Sequence, residues 1–177
     1  MTREASDVCV RPLTTSDLAA ALAIQSQSYP AFLREDEAAF ASRLALPASY
    51  CLAAERGGVL VGYLLAHGWP RQSPPAVGAR LAAEGPSEVL FIHDLSISPS
   101  GRGAGVGRRL IDRAFALAGR DGLGTAELIA VEGAASYWRT LGFAQAAASA
   151  PLAAKVAAYG PQAVWMTRGI PPVSPRG

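Results

Sequence analysis

Apolar and polar positions along this chain fall into short blocks, each with a recognisable period. Val8 to Pro12 reads as a short first strand. Thr14-Thr15-Ser16-Asp17 has the form of a helix N-cap with an acid three residues on, and it opens an alanine-rich helix from about Ser16 to Ser28. Pro30 ends that helix, and a second is expected over roughly Arg34 to Leu46. Tyr50 to Glu55 and Val59 to His67 are strands around Arg56-Gly57-Gly58, a hairpin signal. Trp69 to Pro86 carries four prolines and little periodicity, so it reads as loop with a short helix near Val77 to Ala83. Glu88 to Ile97 is a buried strand, Gly103 to Ala118 a helix, and Thr125 to Val131 a strand. Ala134 to Leu141 is a helix closed by Gly142. Pro151 to Ala158 is one more short helix, and Ala163 to Arg168 a final strand. The chain shows no internal repeat. Strand-helix-strand order from Glu88 onward implies a parallel pair with a right-handed crossover. The hairpin before it implies antiparallel neighbours. The expected architecture is a mixed α/β sheet in a single domain over residues 1–168. Gly169 to Gly177, with three prolines and two glycines, reads as a loose tail.

Composition narrows this picture without changing it. Half of the 177 residues are hydrophobic and 17% are charged, which suits one domain with a sizeable core and excludes a disordered chain. Net charge is +2 with both signs interspersed, and no basic block or aromatic-basic patch points to nucleic acid. No apolar run reaches membrane-spanning length, and Met1 to Asp7 has no apolar leader. Cys9 and Cys51 form neither metal nor redox spacing, and their strand positions predict buried free thiols. The expectation is a soluble cytoplasmic protein without a bound metal. Its oligomeric state, including a homodimer, is left open.

The most specific segment is Leu95-Ser96-Ile97-Ser98-Pro99-Ser100-Gly101-Arg102-Gly103-Ala104-Gly105-Val106-Gly107. An apolar strand ends at a proline, and a glycine-rich turn opens directly into a helix. Glycines let the main chain turn tightly and approach a ligand. The helix then aims unpaired N–H groups and its positive dipole end at whatever sits there, which makes a phosphate cradle. Arg102, Arg108 and Arg109 add positive charge. The ATP/GTP loop pattern Gly-x4-Gly-Lys-Ser/Thr does not occur. The dinucleotide pattern Gly-x-Gly-x-x-Gly fails too, because its last position falls on Arg108 or Val106.

The form present, Leu-x-Ile-x-Pro-x-x-Arg-Gly-x-Gly-x-Gly, resembles the coenzyme A pyrophosphate loop of the GNAT superfamily of N-acetyltransferases. A second string, Ala134-Ala135-Ser136-Tyr137-Trp138-Arg139-Thr140-Leu141-Gly142-Phe143, looks like that superfamily's Ala-x-x-Phe-Tyr-x-x-x-Gly-Phe helix beside the pantetheine arm. The resemblance covers about Val8 to Arg168. It implies the GNAT acyltransferase fold, a mixed sheet whose strands Glu88 to Ile97 and Thr125 to Val131 splay apart around the coenzyme, with acetyl-CoA as co-substrate. The implied coenzyme contacts are Leu95, Ser96, Ile97, Arg102, Gly103, Ala104, Gly105, Val106, Gly107, Arg108 and Trp138.

Acetyl transfer to an amine needs a base, because an alkylamine with a pKa near ~10 is almost wholly protonated at neutral pH. It also needs an N–H donor for the thioester oxygen and an acid for the thiolate. His93 is the candidate base. It lies four residues before Ile97, which by alternation puts both on one strand face and turns Asp94 away. The Leu95 or Ile97 N–H is the candidate donor to the thioester oxygen. The superfamily's usual acid tyrosine position is held here by Trp138, which leaves Tyr137, one residue earlier, and Tyr159 as candidates. Glu132 stands where the superfamily often has asparagine. His67 closes its strand either as a surface histidine or as part of an amine pocket with Tyr63. The layout of Tyr29, Tyr63, His67 and the strand Phe91-Ile92-His93-Asp94-Leu95 is similar to the arylalkylamine branch. That branch carries two histidines on the equivalent strand, and here Phe91 takes the first position. Tyr29, Phe32, Trp69 and Phe91 are the candidate apolar walls. The leading expectation is acetylation of a small-molecule primary amine. The alternatives are acetylation of a protein N-terminus or lysine, or an acyl-CoA-binding module without catalysis.

Overall fold

A computed structural model describes residues 7–83 and 85–174. Residues 1–6, on which the expectation about a leader falls, and 175–177 at the end of the expected tail lie outside the described residues. Seven strands form one sheet: β1 (Cys9–Pro12), β2 (Leu52–Arg56), β3 (Val59–Trp69), β4 (Val89–Ile97), β5 (Thr125–Ala130), β6 (Ala144–Gln145) and β7 (Val164–Gly169). Their order is β1-β2-β3-β4-β5-β7-β6. Among the described residues only β4 and β5 run parallel, as the order of elements predicts. The helices are α1 (Leu18–Ser28), α2 (Glu37–Leu44), α3 (Val106–Arg120), α4 (Ala135–Thr140) and α5 (Ala150–Ala157).

The stripe Val106, Leu110, Ile111, Ala114, Phe115 and Ala118 on α3 is buried against one face of the sheet, the spacing of an amphipathic helix. Helices α1 and α2 cover the opposite face over β2 and β3, around Leu18, Phe40, Tyr63 and Leu65. Beside them α5 packs Leu152 and Val156 against Phe91, Ile129 and Trp165. Because β3 lies inside the sheet with helices on both faces, its residues from Val61 to Gly68 are all buried.

Several boundaries move for local reasons. The Asp36 side chain accepts the Ala39 N–H at 2.9 Å, so α2 starts at Glu37 rather than Arg34. The helix expected near Val77 to Ala83 is absent; the segment is irregular and is held by bonds to other elements. Cys51 is buried, but Cys9 on the edge strand β1 is exposed, which corrects the expectation for that thiol. Gly169 completes β7, and Ile170 is buried with its N–H on the Gly124 carbonyl (2.9 Å), so the stretch read as tail is tied down at its start.

Two departures from regular pairing shape the site. Parallel pairing of β4 with β5 covers only Leu90 to Ile92 against Ala126 to Leu128, after which the strands separate. On the other edge of β4, Leu65 stands opposite Asp94 and Ala66 opposite Ile92, leaving His93 as an extra residue in a β-bulge.

Candidate active site

The bulge resets the alternation of β4. Leu90 and Ile92 face α3 before it, and Leu95 and Ile97 face α3 after it. His93 therefore does not share a face with Ile97, and Asp94 does not point away from it. Both turn toward α1 and α2, where Asp94 accepts the Tyr29 and Tyr63 hydroxyls at 2.7 and 2.6 Å. Burial pushes the Asp94 carboxyl above its usual range, against these hydrogen bonds. Main-chain alternation continues past the bulge. Ser98 N–H bonds Val61 O at 2.8 Å, so the main-chain groups of Leu95 and Ile97 point to the other edge, into the gap left by β5.

That gap forms one end of two adjoining clefts. The first is lined by Ile97, Gly101, Arg102, Gly103, Gly105, Val106, Gly107 and Arg108, with Ser96 and Thr140. Gly103 and Gly105 have φ of +81° and +66°, and a Cβ at either would meet nothing within 4 Å, so the turn leaves open space in front of the helix. The first N–H bonded within α3 is Arg109, to Gly105 O at 3.1 Å, which leaves those of residues 106–108 free of the helix ladder. An open space, free N–H groups and two cationic side chains fit a pyrophosphate. Ala104 does not line this cleft; it sits exposed at the turn's apex. Gly101 has a different role. A Cβ there would lie 2.8 Å from Val61 O, so it permits packing against β3.

The second cleft, of about 220 Å³, runs from Leu95 and His93 to Leu33, Val77, Ile129, Val131, Glu132 and Tyr159. Ser28, Tyr29, Leu95 and Tyr137 line both clefts and mark their junction. At the inner wall, His93 Nε2 hydrogen-bonds Glu35 Oε1. Glu35 Oε2 receives the Gly78 N–H at 2.6 Å and faces Arg43 Nη1 at 3.5 Å. Burial pushes the Glu35 carboxyl up, but the His93 hydrogen bond, the His93 and Arg43 charges and the Gly78 N–H together hold it below its usual range. His93 Nδ1 is enclosed and has no partner among the described residues.

Sequence reasoning missed Glu35 and Arg43. The run Arg34-Glu35-Asp36-Glu37 reads as a solvated helix start; the one usable signal is that Asp36 caps α2 and leaves Glu35 outside it.

The tyrosines separate clearly. Tyr137 is 42% exposed, and its hydroxyl lies where a Cβ on Gly107 would be, at the junction of the clefts. Trp138 is buried against Phe143 and lines the second cleft rather than the one at the glycine-rich turn. The Tyr159 hydroxyl is committed to the Pro75 carbonyl, and burial pushes its pKa up, so it is not free to serve as an acid. Of the expected substrate residues, Tyr29 lines the clefts. Tyr63, His67 and Phe91 do not, because α1, α2 and α5 close over the face of the sheet that carries them. Trp69 packs in the same cluster and donates Nε1–H to Ser73 O, while Phe32 is exposed beside Gly160.

His67 is neither at the surface nor in the pocket. It is fully buried between Trp69 and Phe91, and both ring nitrogens lack partners among the described residues. Burial, with the Arg43 and His93 charges, pushes its pKa down from 6.5 to about 3. The unfolded chain then binds the extra proton between those values, so this group lowers stability as pH falls. At about 1.4 kcal/mol per unit, the loss between pH ~6.5 and ~4 is about 3 kcal/mol. Denaturant unfolding at both pH values should show His67→Leu losing less stability than the unsubstituted protein; an equal loss would contradict this reading.

The Acetyltransferase (GNAT) family model matches residues 18–143, from the start of α1 through the Gly142-Phe143 motif. The chain belongs to the GNAT family of acetyltransferases. Its fold is also that of solved structures of low identity. The ribosomal-protein-S18-alanine N-acetyltransferase of Escherichia coli is 16% identical, covers 95% of this chain and 97% of its own, and superposes with a TM-score of 0.66. An acetyltransferase from Thermus thermophilus is 19% identical over 93% of this chain and 98% of its own, with a TM-score of 0.64. The N-acetylglutamate synthase of Neisseria gonorrhoeae, complexed with coenzyme A and N-acetyl-glutamate, is 14% identical with a TM-score of 0.64, over 93% of this chain and 35% of its own. No curated protein matches the sequence. This GNAT chain is an acetyl-CoA-dependent acetyltransferase, with acetyl-CoA as co-substrate. Among the described residues, no helix is long and apolar enough to cross a membrane.

Proposed function

We propose that this GNAT protein acetylates the primary amine of a small molecule with an apolar body. The observation that carries the reading is the junction at Leu95. There the phosphate turn's cleft meets a small cleft walled by Leu33, Val77, Ile129 and Val131, with His93 and Glu35 at its inner wall. Arg102, Arg108 and the free N–H groups at the start of α3 would hold the pyrophosphate, and acetyl-CoA supplies the thioester. The His93 imidazole, hydrogen-bonded to Glu35, takes one proton from the amine, directly or through one water. The nitrogen bonds to the thioester carbon as the carbon–sulfur bond breaks. The Leu95 N–H faces the oxygen that gains charge, the Tyr137 hydroxyl gives its proton to the departing sulfur, and its phenolate takes the second proton from the acylated nitrogen, while His93 passes the first to solvent.

The 75–81 segment favours a small acceptor over a peptide. Gly78 N–H bonds Glu35, the Pro75 carbonyl takes the Tyr159 hydroxyl, and Leu81 N–H bonds Ser42 Oγ at 2.9 Å. These ties hold the segment across the acceptor side, where an extended peptide would need room. The aromatic amines of the arylalkylamine branch fall within this class. Thiol release from acetyl-CoA, measured across arylalkyl and alkyl amines beside N-terminal and lysine peptides, tests the proposal. Small amines should turn over at least about tenfold faster in kcat/KM than any peptide, a difference of ~1.4 kcal/mol in transition-state stabilisation. A peptide outrunning every small amine would overturn the assignment.

A further inference from the structure

On the reading that His93 is the base, we propose that Glu35 is its positioning residue, tying the orientation of the imidazole to the segment that covers the acceptor. Glu35 is well placed for this. Its main chain is clamped from both sides by the Gln25 amide of α1, which donates to Glu35 O at 2.9 Å and accepts Glu35 N–H at 2.8 Å. Its side chain is 2% exposed, and that of Arg43 is wholly buried. Arg43 is held in turn by the Ala39 carbonyl at 3.3 Å. A buried carboxylate fixed at one oxygen by an N–H and a guanidinium has one oxygen left to orient a ring. That oxygen meets His93 Nε2. With Nε2–H donating to Glu35, Nδ1 is the nitrogen that carries the lone pair; it is enclosed here, so the turn at Gly78 must shift for an amine to reach it.

The link to the acceptor side is Gly78. Its N–H bonds Glu35, and its neighbour Val77 lines the acceptor cleft. Its φ of +79° is one that other residues rarely adopt, and this turn brings the N–H to the carboxylate. Movement of the 75–81 segment therefore changes the hydrogen bonding of the group that holds the base.

Other charges bear on His93 as well. Asp94 adjoins it on β4, Glu132 lines the same cleft from the end of β5, and Arg43 stands behind Glu35. His67 and Tyr63 on β3, Tyr29 at the end of α1 and Tyr159 after α5 are neutral near pH 7. Glu35 is the one carboxylate in hydrogen-bond contact with the ring among the described residues.

The test compares Glu35→Gln and Glu35→Asp with the unsubstituted protein by two readouts. The first is imidazole NMR against pH, which has only two histidines to resolve; burial pushes the His67 pKa down to about 3, which keeps that ring neutral near pH 7. The second is the pH profile of kcat with the best small amine. Removing the negative charge in the Gln variant should move the His93 midpoint and the acidic limb to lower pH by about one unit or more. It should lower kcat about 10²-fold and leave the KM for acetyl-CoA unchanged. The Asp variant keeps the charge but withdraws the oxygen, so it should lower kcat with a smaller midpoint shift. A folded Gln variant with an unmoved His93 midpoint overturns the proposal. So does a moved midpoint with unchanged kcat and acidic limb, or an Asp variant with full kcat. The NMR readout does not depend on turnover, so an unreactive His93 would sink the base assignment separately from the Glu35–His93 pairing.

Discussion

Replacing Gly105 by Val is expected to abolish productive acetyl-CoA binding while the protein stays folded. Gly105 caps α3 with φ +66°, and a side chain there projects into the open space before the helix N-terminus. The strain of a left-handed residue costs about 1–2 kcal/mol, which a fold of ordinary stability absorbs. Loss of the coenzyme is the larger effect. Displacing a pyrophosphate from two charge-assisted hydrogen bonds, at about 1.5–3 kcal/mol each, weakens affinity by about 10²-fold or more. Titration calorimetry with CoA on the folded variant checks this. Unchanged affinity would move the pyrophosphate away from this turn. Gly101, earlier in the same motif, is no substitute for the experiment, because its Cβ would strike Val61 O and test packing instead.

The glycine-rich turn proposed to hold the pyrophosphate is legible in the sequence because each part acts locally. Strand, proline, glycines and helix follow one another along the chain, and the stripe on α3 states which face is buried. The splay of β4 from β5 follows from family resemblance, and the pairing pattern bears it out. The proposed catalytic wall is not legible in the same way. Alternation places His93 with Ile97 only if the ladder is regular, and the extra residue at His93 breaks it. Nothing in Phe91-Ile92-His93-Asp94 marks a bulge. Tyr63, His67 and Phe91 look like a polar-aromatic pocket when read along the chain. Their enclosure depends on where α1, α2 and α5 pack, a tertiary matter. Glu35 is separated from His93 by 58 positions, and its charged neighbours disguise it as solvated surface. For Tyr137 and Trp138 the motif alone leaves the helix rotation open. Packing decides it: Trp138 fills the core beside Phe143, and Tyr137 turns out over Gly107.

The second large effect is expected at His93. His93→Ala removes the one imidazole that lines the acceptor cleft, and loss of a general base costs about 10²- to 10⁴-fold in rate. Coenzyme affinity should be spared, since His93 does not line the phosphate cleft. The acidic limb of the pH–rate profile should flatten, because that limb would report protonation of the base. Tyr137→Phe should slow the reaction less and act on the alkaline side, where a hydroxyl proton donor is lost. Tyr159→Phe should change turnover little, since its hydroxyl is bound to Pro75. The most direct measurement is the single-turnover rate of acetyl transfer to a small amine by folded, acetyl-CoA-loaded His93→Ala, followed from about pH 5.5 to about pH 9, a range that brackets imidazole titration. With His93 as the base, the rate falls by about 10² or more at neutral pH and the acidic limb flattens. A near-normal rate with the acidic limb intact would show that the base lies elsewhere.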